Sequence, residues 1–284
     1  MATIGLSIIV RDEAHVVLRC LESASDLIDA AVVVDTGSRD GTPDLVRTWL
    51  ARHGIPGCVI TEPWRDFAHN RSSALAALRR RPGIDYTLVL DADDRLVRDA
   101  GFDPAAFKAA LAADVDDVEI RHGGTVYRRL QLFANRLDFR YRSVLHEYLT
   151  VPDSARTRAF AAGLAVHYGG DGARSRDPET YARDAALLEA ALVEEADPGL
   201  RALHVLPRAE LSGLRPGRTR DRRLSPARGP RSLGPGGVRV PAQCRPADGG
   251  AGGTDGGGAR AVRARDSGGA GARRGPPRRR PRLP

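Results

Sequence analysis

The sequence predicts an α/β domain with a mainly parallel sheet, and three observations support this fold class. Short apolar runs alternate with amphipathic helical stretches over the first half of the chain. One of these runs, Tyr86–Leu90, is apolar or β-branched throughout, as expected of a strand covered on both faces. Charge separates two regions, because residues 1–200 carry a net −7 and residues 201–284 a net +15. Only residues 1–200 have the composition of a folding unit.

The alternating elements can be placed in order along the first hundred or so residues. Strands are predicted at Leu6–Val10, Ala31–Val34, Cys58–Thr61 and Tyr86–Leu90, each a short apolar run. Helices are predicted at Glu13–Ser23, after a Thr42 cap with Pro43 in the first turn, and at Ser72–Arg81. Such βαβ units form a parallel sheet, and ligands bind outside the carboxyl ends of its strands.

After Asp117 the alternation of strands and helices becomes irregular. Strands are predicted at Thr125–Phe133, Leu137–Arg142 and Ala165–Tyr168, and an amphipathic helix at Pro178–Glu195. These elements complete the predicted folding unit.

Residues 201–284 have the composition of a disordered tail. They contain 20 Arg against 5 acidic residues, no Phe, Tyr or Trp, and 17 of the 31 Gly and 11 of the 19 Pro. Such a segment buries too little apolar surface to offset the entropy of ordering. An alternative is an Arg/Gly-rich nucleic-acid-binding arm. The lack of aromatic residues and of regular Arg-Gly repeats disfavours nucleic acid as a partner.

Cysteine usage and hydropathy exclude several classes of protein. Cys20, Cys58 and Cys244 are odd in number and widely spaced, which indicates neither a disulfide framework nor a zinc site. No apolar run approaches the length of a transmembrane segment, and the N-terminus lacks a basic region followed by a long apolar core. A cytoplasmic protein is therefore expected.

Three carboxylates, Asp91, Asp93 and Asp94, follow the predicted strand Tyr86–Leu90. Strand geometry would turn Asp91 and Asp93 onto one face. Paired carboxylates with room for water and phosphate suit Mg²⁺ or Mn²⁺ better than zinc. The alternative is an acidic turn that merely ends the strand.

Two further groups lie at the same predicted rim. Asp35 ends the second strand and can accept hydrogen bonds from a base or ribose, while Gly37 lets the backbone pass close to a ligand. Asn70 and Arg71, expected at a helix start, can bind phosphate through the guanidinium group and the helix N-terminus. Ordinary turn chemistry and an ordinary helix entry are the alternatives.

Together these motifs resemble glycosyltransferase family 2. The segments that carry the resemblance are Ile8–Glu13, Asp35–Thr42, Asp66–Arg71 and Leu90–Asp94. The resemblance covers roughly residues 4–200 and is greatest to a soluble bacterial branch that is normally followed by helical, tetratricopeptide-like repeats. It implies a GT-A fold, that is, a Rossmann-like nucleotide-sugar-binding domain. Its nucleotide-binding half would span about residues 1–98 and its acceptor half about residues 99–200.

The resemblance also implies roles on the donor side. Asp35 would contact the nucleotide, Asp91 would be the first Asp of the metal motif, near the ribose, and Asp93 would bind the metal directly. Asp94 would support them. His167 resembles the late histidine that completes the metal site; a satisfied core or loop histidine is the alternative.

On the acceptor side, the segment Val144–Glu147 resembles the one that carries the catalytic base. Glu147 is the candidate base and His146 its alternative; a His–Glu pair that stabilises a loop is the competing interpretation. Where relatives often have a glycine, this chain has Arg142 and Ser143. That difference bears on the geometry of the acceptor loop.

The activity implied is metal-dependent, inverting transfer of a sugar from a nucleotide-diphosphate sugar. A UDP-sugar is the family expectation for the donor, with Mn²⁺ or Mg²⁺ as cofactor and a glycan, lipopolysaccharide-core (lipid-linked) or peptide acceptor. A catalytically impaired transferase is an alternative. A nucleotidyltransferase is disfavoured, because residues 4–13 hold no Gly-rich, Lys-containing phosphate loop.

The tail also fits a frameshifted remnant of a helical-repeat domain. One permitted codon choice for Leu206–Arg215, read one base out of frame, begins Tyr-Leu-Ala-Gln-Ser-Tyr, which resembles the start of such repeats. A shift near residue 202 would account for the loss of aromatic residues and for the reversal of charge.

Overall fold

The structure is a computed structural model that describes residues 1–200. The disordered tail, the frameshift and the nucleic-acid-binding arm all concern residues 201–284, and these predictions lie outside the described residues.

The first half of the described chain is a parallel α/β layer. Its strands are β1 (Ile4–Val10), β2 (Ala30–Asp35), β3 (Gly57–Thr61) and β4 (Tyr86–Val89), and its helices are α1 (Val17–Ala24), α2 (Thr42–His53) and α3 (Phe67–Arg79). The four strands lie in the order β3-β2-β1-β4, all parallel. Their carboxyl ends therefore open on one edge of the sheet.

The second half extends this sheet and adds a small hairpin. Its elements are β5 (Arg95–Arg98), α4 (Pro104–Ala110), β6 (Val115–His122), β7 (Thr125–Ala134), β8 (Arg140–Arg142), β9 (Tyr148–Thr150), β10 (Arg158–His167), α5 (Ala173–Arg176) and α6 (Thr180–Glu194). The full sheet runs β3-β2-β1-β4-β7-β6-β10-β5, while β8 and β9 pair separately. Four of its seven strand pairs are parallel, so the predicted fold class, α/β with a mainly parallel sheet, is confirmed.

The core explains why the first strands read as continuous apolar runs. Every residue of β2 is buried, because helices cover both faces of the sheet. Helix α1 buries Val17, Cys20, Leu21 and Ala24 along one stripe. The buried runs thus mark where the strands end, and the carboxyl ends of the parallel strands form the rim.

Several boundaries differ from the predictions. Helix α3 begins at Phe67 and not at residue 72, because the Asp66 carboxylate caps it by accepting a hydrogen bond from the His69 N–H at 2.7 Å. The cap of α2 is Gly41, in the left-handed region at φ 85°, and not Thr42. The strands β5, β6 and β9 and helix α4 were not predicted, and β10 begins before the predicted Ala165.

None of the helices among residues 1–200 is long and apolar enough to cross a membrane.

Asp116 in β6 gives the fold a measurable pH dependence. It is 4% exposed, and its Oδ2 atom has no partner among the described residues. Burial, followed by the charge of Asp117, raises the pKa of Asp116 to about 6. The folded chain therefore holds a proton that the unfolded chain has released between about pH 4 and about pH 6. Stability should fall as pH rises through this window.

We predict that Asp116→Asn flattens that slope. At pH values above about 7 the variant should gain about 1–2 kcal/mol in the free energy of unfolding relative to the wild type, and at pH values below about 4 the difference should vanish. Urea unfolding across this range measures both values. Asp153→Asn, at an exposed carboxylate, is the control that should keep the wild-type slope. An unchanged slope in Asp116→Asn would show that Asp116 is ionised in the folded protein.

Candidate active site

The second strand ends in a turn held by its own carboxylate. Asp35 is 3% exposed and accepts hydrogen bonds from the backbone N–H groups of Gly37, at 3.4 Å, and Ser38, at 3.2 Å. Gly37 has a φ of 107°, which few side chains tolerate. The structure thus places Asp35 at the rim, where it shapes the loop around the expected nucleotide position.

The carboxylates after β4 form a turn and not an extension of the strand. β4 ends at Val89, the Asp94 N–H donates to the Asp91 carbonyl at 3.1 Å, and the Asp91 N–H donates to Asp94 Oδ2 at 3.0 Å. The expectation that Asp91 and Asp93 alternate along a strand onto one face is therefore wrong. The turn still directs the segment to the carboxyl edge of the sheet.

Asp94 is the buried support of this turn. It is fully buried, and its Oδ1 atom has no partner among the described residues. Burial, together with the charge of Asp91, raises the pKa of Asp94 to about 7. A group in this position suits a structural role better than direct ligation of a cation.

Arg71 joins the donor turn to the acceptor loop. Its Nε donates to Glu147 Oε1 at 2.7 Å, and its Nη2 donates to Asp91 Oδ1. The three side chains are 11%, 16% and 30% exposed for Arg71, Glu147 and Asp91. The structure thus brings together two residues assigned to the donor and the candidate base.

The electrostatics of this group favour its charged form. Burial lowers the pKa of Arg71, but the carboxylates of Asp91 and Glu147 outweigh burial, and the pKa is raised. Burial likewise raises the pKa of Asp91, and Arg71, followed by Arg129, reverses the effect, so that the pKa of Asp91 is lowered. Arg71 and Asp91 are therefore both ionised at neutral pH.

Asn70 lies one turn inside α3 and not at its start. It is fully buried; its Nδ2 donates to Glu62 Oε1 and to the Pro63 carbonyl, both at 3.1 Å, and its Oδ1 accepts from the Arg65 N–H at 3.0 Å. These contacts tie the chain entering α3 to the helix. A direct contact of Asn70 with phosphate would require these hydrogen bonds to break.

The acceptor loop holds two non-glycine residues in the left-handed region. Ser143 has a φ of 76° and His146 a φ of 54°. Ser143 thus adopts a conformation that favours glycine, at the point where relatives often have one. The loop exposes His146 and leaves Glu147 half-buried against Arg71. Strained backbone of this kind concentrates at functional sites.

Asp93 is covered by a glycine-rich segment after β10 that the sequence analysis did not assign. The Gly172 N–H donates to Asp93 Oδ2 at 3.1 Å, and a Cβ at Gly169 would lie 1.9 Å from the Asp93 carbonyl oxygen. Arg19 donates to the same carbonyl at 3.0 Å. The signal available in the sequence was the run Gly-Gly-Asp-Gly that begins at Gly169.

His167 ends β10 beside the acidic turn. It pairs in register with Arg95, and its Nδ1 is buried with no partner among the described residues. Burial, followed by the charges of Asp93, Asp91 and Asp94, raises the pKa of the neighbouring Tyr168. The close approach of Gly169 to the Asp93 carbonyl brings this end of β10 beside the acidic turn.

Within residues 1–200, no three His, Cys, Asp or Glu side chains group closely enough to hold a metal. The predicted set Asp91, Asp93 and His167 is therefore not assembled as a complete site. The donor chemistry nevertheless fits a hard cation, because carboxylate oxygens lie at the rim. Mg²⁺ and Mn²⁺ characteristically take one or two carboxylates and draw the remaining ligands from water and phosphate.

Comparison with known sequences finds a family that resembles the first half of the chain. Residues 6–141 match the sequence model of Glycosyl transferase family 2. Residues 6–141 are thus similar to glycosyl transferase family 2, and the predicted resemblance to this family is confirmed.

One relative extends beyond this domain. A TPR repeat-containing protein of Synechococcus elongatus is 36% identical over 184 residues, which cover 60% of this chain and 43% of that protein. The chain thus spans less than half the length of that relative. The relative's name agrees with the predicted helical-repeat continuation.

Two solved structures are similar to part of this chain. A crystal structure of S. aureus TarS, residues 1–349, has a TM-score of 0.45 at 13% identity, covering 67% of this chain and 65% of that one. The mannosyltransferase PcManGT from Pyrobaculum calidifontis, in complex with GDP-Man and Mn²⁺, has a TM-score of 0.41 at 17% identity, covering 68% and 65%.

The Arg71 contacts predict a large effect on stability. Arg71→Ala leaves the carboxylates of Asp91 and Glu147 without their shared cation, and we expect a loss of about 3 kcal/mol in the free energy of unfolding. Arg47→Ala is the control, because its ion pair with Asp44 is exposed, and it should lose less than about 1 kcal/mol. Equal, small losses in urea unfolding would contradict a central role for Arg71.

Proposed function

We propose that this chain transfers a sugar from a nucleotide-diphosphate sugar to an acceptor hydroxyl or amide, with inversion at the anomeric carbon. The observation that carries the proposal is the bridge from Asp91 through Arg71 to Glu147, inside a family 2 domain. Because Arg71 contacts both Glu147 and Asp91, the bridge supports the proposal that Glu147 acts as the base beside the donor. A sugar held at the turn would therefore face a group able to accept a proton.

On the donor side, the proposal assigns the nucleotide to the rim between Asp35 and Asp91. Asp93 and Asp91 would hold Mn²⁺ or Mg²⁺, with His167 as a third candidate, and the cation would supply positive charge against the departing diphosphate. A UDP-sugar is the expected donor by family. The hydrogen bonds of Asn70 support a positioning role for that residue, at the entry to α3.

On the acceptor side, Glu147 is the proposed base. Its Oε1 atom accepts a hydrogen bond from Arg71, and its Oε2 atom would take the proton from the acceptor. As that proton leaves, the acceptor atom forms a bond to the anomeric carbon on the face opposite the diphosphate, and the bond from carbon to diphosphate oxygen breaks. His146 is the alternative base, and its exposure places it closer to solvent than Glu147. The acceptor class (glycan, lipid-linked or peptide) stays open.

The donor assignment predicts a ligand- and metal-dependent gain in stability. Among UDP-sugars, GDP-sugars and dTDP-sugars, we expect one class to stabilise the full chain. This stabilisation should occur only when Mn²⁺ is present. At ligand concentrations about 100 times the dissociation constant the gain is about 2.7 kcal/mol, which raises Tm by about 5 °C or more. Thermal unfolding with and without Mn²⁺ measures it. No shift with any of these donors would overturn the proposal.

Two variants separate donor binding from chemistry. Asp93→Ala should lose the Mn²⁺-dependent shift, since Asp93 is proposed to bind the cation. Glu147→Gln should keep that shift and lose sugar transfer, since Glu147 is proposed to act on the acceptor and not on the donor. Each shift is compared with the same variant without ligand, because Glu147→Gln also weakens the contact with Arg71. A Glu147→Gln variant with wild-type transfer would exclude Glu147 as the base.

A further inference from the structure

The rim carries more negative charge than its nearest arginine can neutralise. Asp91, Asp93 and Glu147 are carboxylates of this edge, and Arg71 already donates to two of them. An incoming diphosphate adds further negative charge, and phosphate binding at such an edge requires cations that are not already paired. An arginine on a neighbouring strand that lacks a carboxylate partner would supply such a cation.

Arg129 in β7 occupies such a position. β7 runs antiparallel to β4, with Tyr86 opposite Ala134 and Leu88 opposite Leu132. Asp91 follows Leu88 by three residues and Arg129 precedes Leu132 by three, so both lie beyond this pairing at the same end of the two strands. Arg129 is exposed, and within residues 1–200 it forms no ion pair with a carboxylate. Its guanidinium group is thus available to a ligand.

A β-bulge holds the Arg129 side chain. Asp116 pairs with Leu132 and Asp117 with Leu130, so Gln131 is an extra residue in β7. Bulges often redirect a side chain beside an active site. Gln131 is 3% exposed, and in the amide orientation that satisfies its hydrogen bonds its Oε1 accepts from Arg129 Nη2 at 2.6 Å. The buried amide fixes one side of the guanidinium group.

The electrostatic field of Arg129 reaches the acidic turn. After burial and Arg71, it is the next influence on the pKa of Asp91, and it acts against the burial that raises the pKa of Asp94. This influence agrees with the position of Arg129 at the same end of β7 and β4 as the acidic turn.

We propose that Arg129, held by Gln131, binds the diphosphate of the donor. The inference rests on the proposed function and deepens it, because it names the side chain that recognises the leaving group. A guanidinium group donates two parallel N–H bonds to phosphate oxygens, which suits a diphosphate better than a neutral sugar or base. Arg71, in turn, positions Asp91 and Glu147.

The test compares diphosphates with monophosphates. The full chain is titrated calorimetrically with UDP, GDP and dTDP in the presence of Mn²⁺, and then with UMP, GMP and dTMP. The comparison gives the loss of binding affinity on removing one phosphate. Arg129→Ala should weaken binding of the preferred diphosphate by about tenfold or more, and binding of the monophosphate by less than about threefold. Arg129→Lys should recover part of the loss, and Gln131→Ala should fall between wild type and Arg129→Ala.

Arg128→Ala is the matched control. Arg128 is the adjacent residue of the same strand, and its guanidinium group lies over the ring of Phe160, 4.0 Å from the centroid. Because neighbouring strand residues point to opposite faces, this variant should bind diphosphate within about twofold of the wild type. Because both arginines are exposed, both variants should fold, and circular dichroism melts confirm it.

The outcomes are distinguishable. Diphosphate affinity that stays within about twofold in Arg129→Ala, while Asp93→Ala loses it, overturns the role of Arg129 and leaves the proposed function standing. Binding of an acceptor phosphate by Arg129 would give this same result, and it would likewise overturn the assignment of Arg129 to the donor diphosphate. A wild-type chain that binds none of the three diphosphates overturns the proposed function together with this inference.

Discussion

The contact of Arg71 with Asp91 and Glu147 is the interaction on which the candidate site depends. It joins residues that are 20 and 76 positions apart in the sequence, and it lies where helix α3, the acidic turn and the acceptor loop meet. Each carboxylate is partly withdrawn from water, so each needs a cationic partner to offset its lost hydration. The contacts of Arg71 with the two acids therefore stabilise the fold and also hold the residues proposed to take part in the reaction.

Around the Arg71 contacts, backbone N–H groups hold several of the carboxylates in place. Asp35 closes its own turn, Asp91 and Asp94 close another, and Gly172 donates its N–H to Asp93. The close approach at Gly169 leaves no room for a side chain beside the Asp93 carbonyl. Carboxylates held in this way need little reorganisation when a cation and a diphosphate arrive, which is the condition for electrostatic stabilisation of a leaving group.

The first half of the fold could be predicted because its signals are local. Strands such as β2 are buried along their whole length, and parallel strands bring Asp35 and Asp91 to one edge whatever the helices between them do. The second half could not be predicted to the same degree. Strand β6 contains several charged residues, and such a segment is easily predicted to be a loop. In the structure one of these charges, Asp117, forms an ion pair with Arg158.

The candidate site shows the same division. Its motifs could be found in the sequence, but not the partners of Arg71, since no spacing pattern reveals a contact with Glu147. The bulge at Gln131 was equally invisible, because it depends on how β6 and β7 align. A motif in the sequence indicated phosphate binding for Asn70. In the structure its side chain instead forms three hydrogen bonds, whose geometry depends on the Asp66 cap and the start of α3.

The central claim is that the acidic turn anchors a cation and a diphosphate together. Electron paramagnetic resonance of Mn²⁺ titrated into the full-length protein tests it most directly, because free Mn²⁺ gives a signal that is lost on binding. The account predicts weak uptake of Mn²⁺ alone, strong uptake when UDP, GDP or dTDP is added, and no such uptake by Asp93→Ala. Equal uptake with and without these diphosphates, or unchanged uptake by Asp93→Ala, would contradict it.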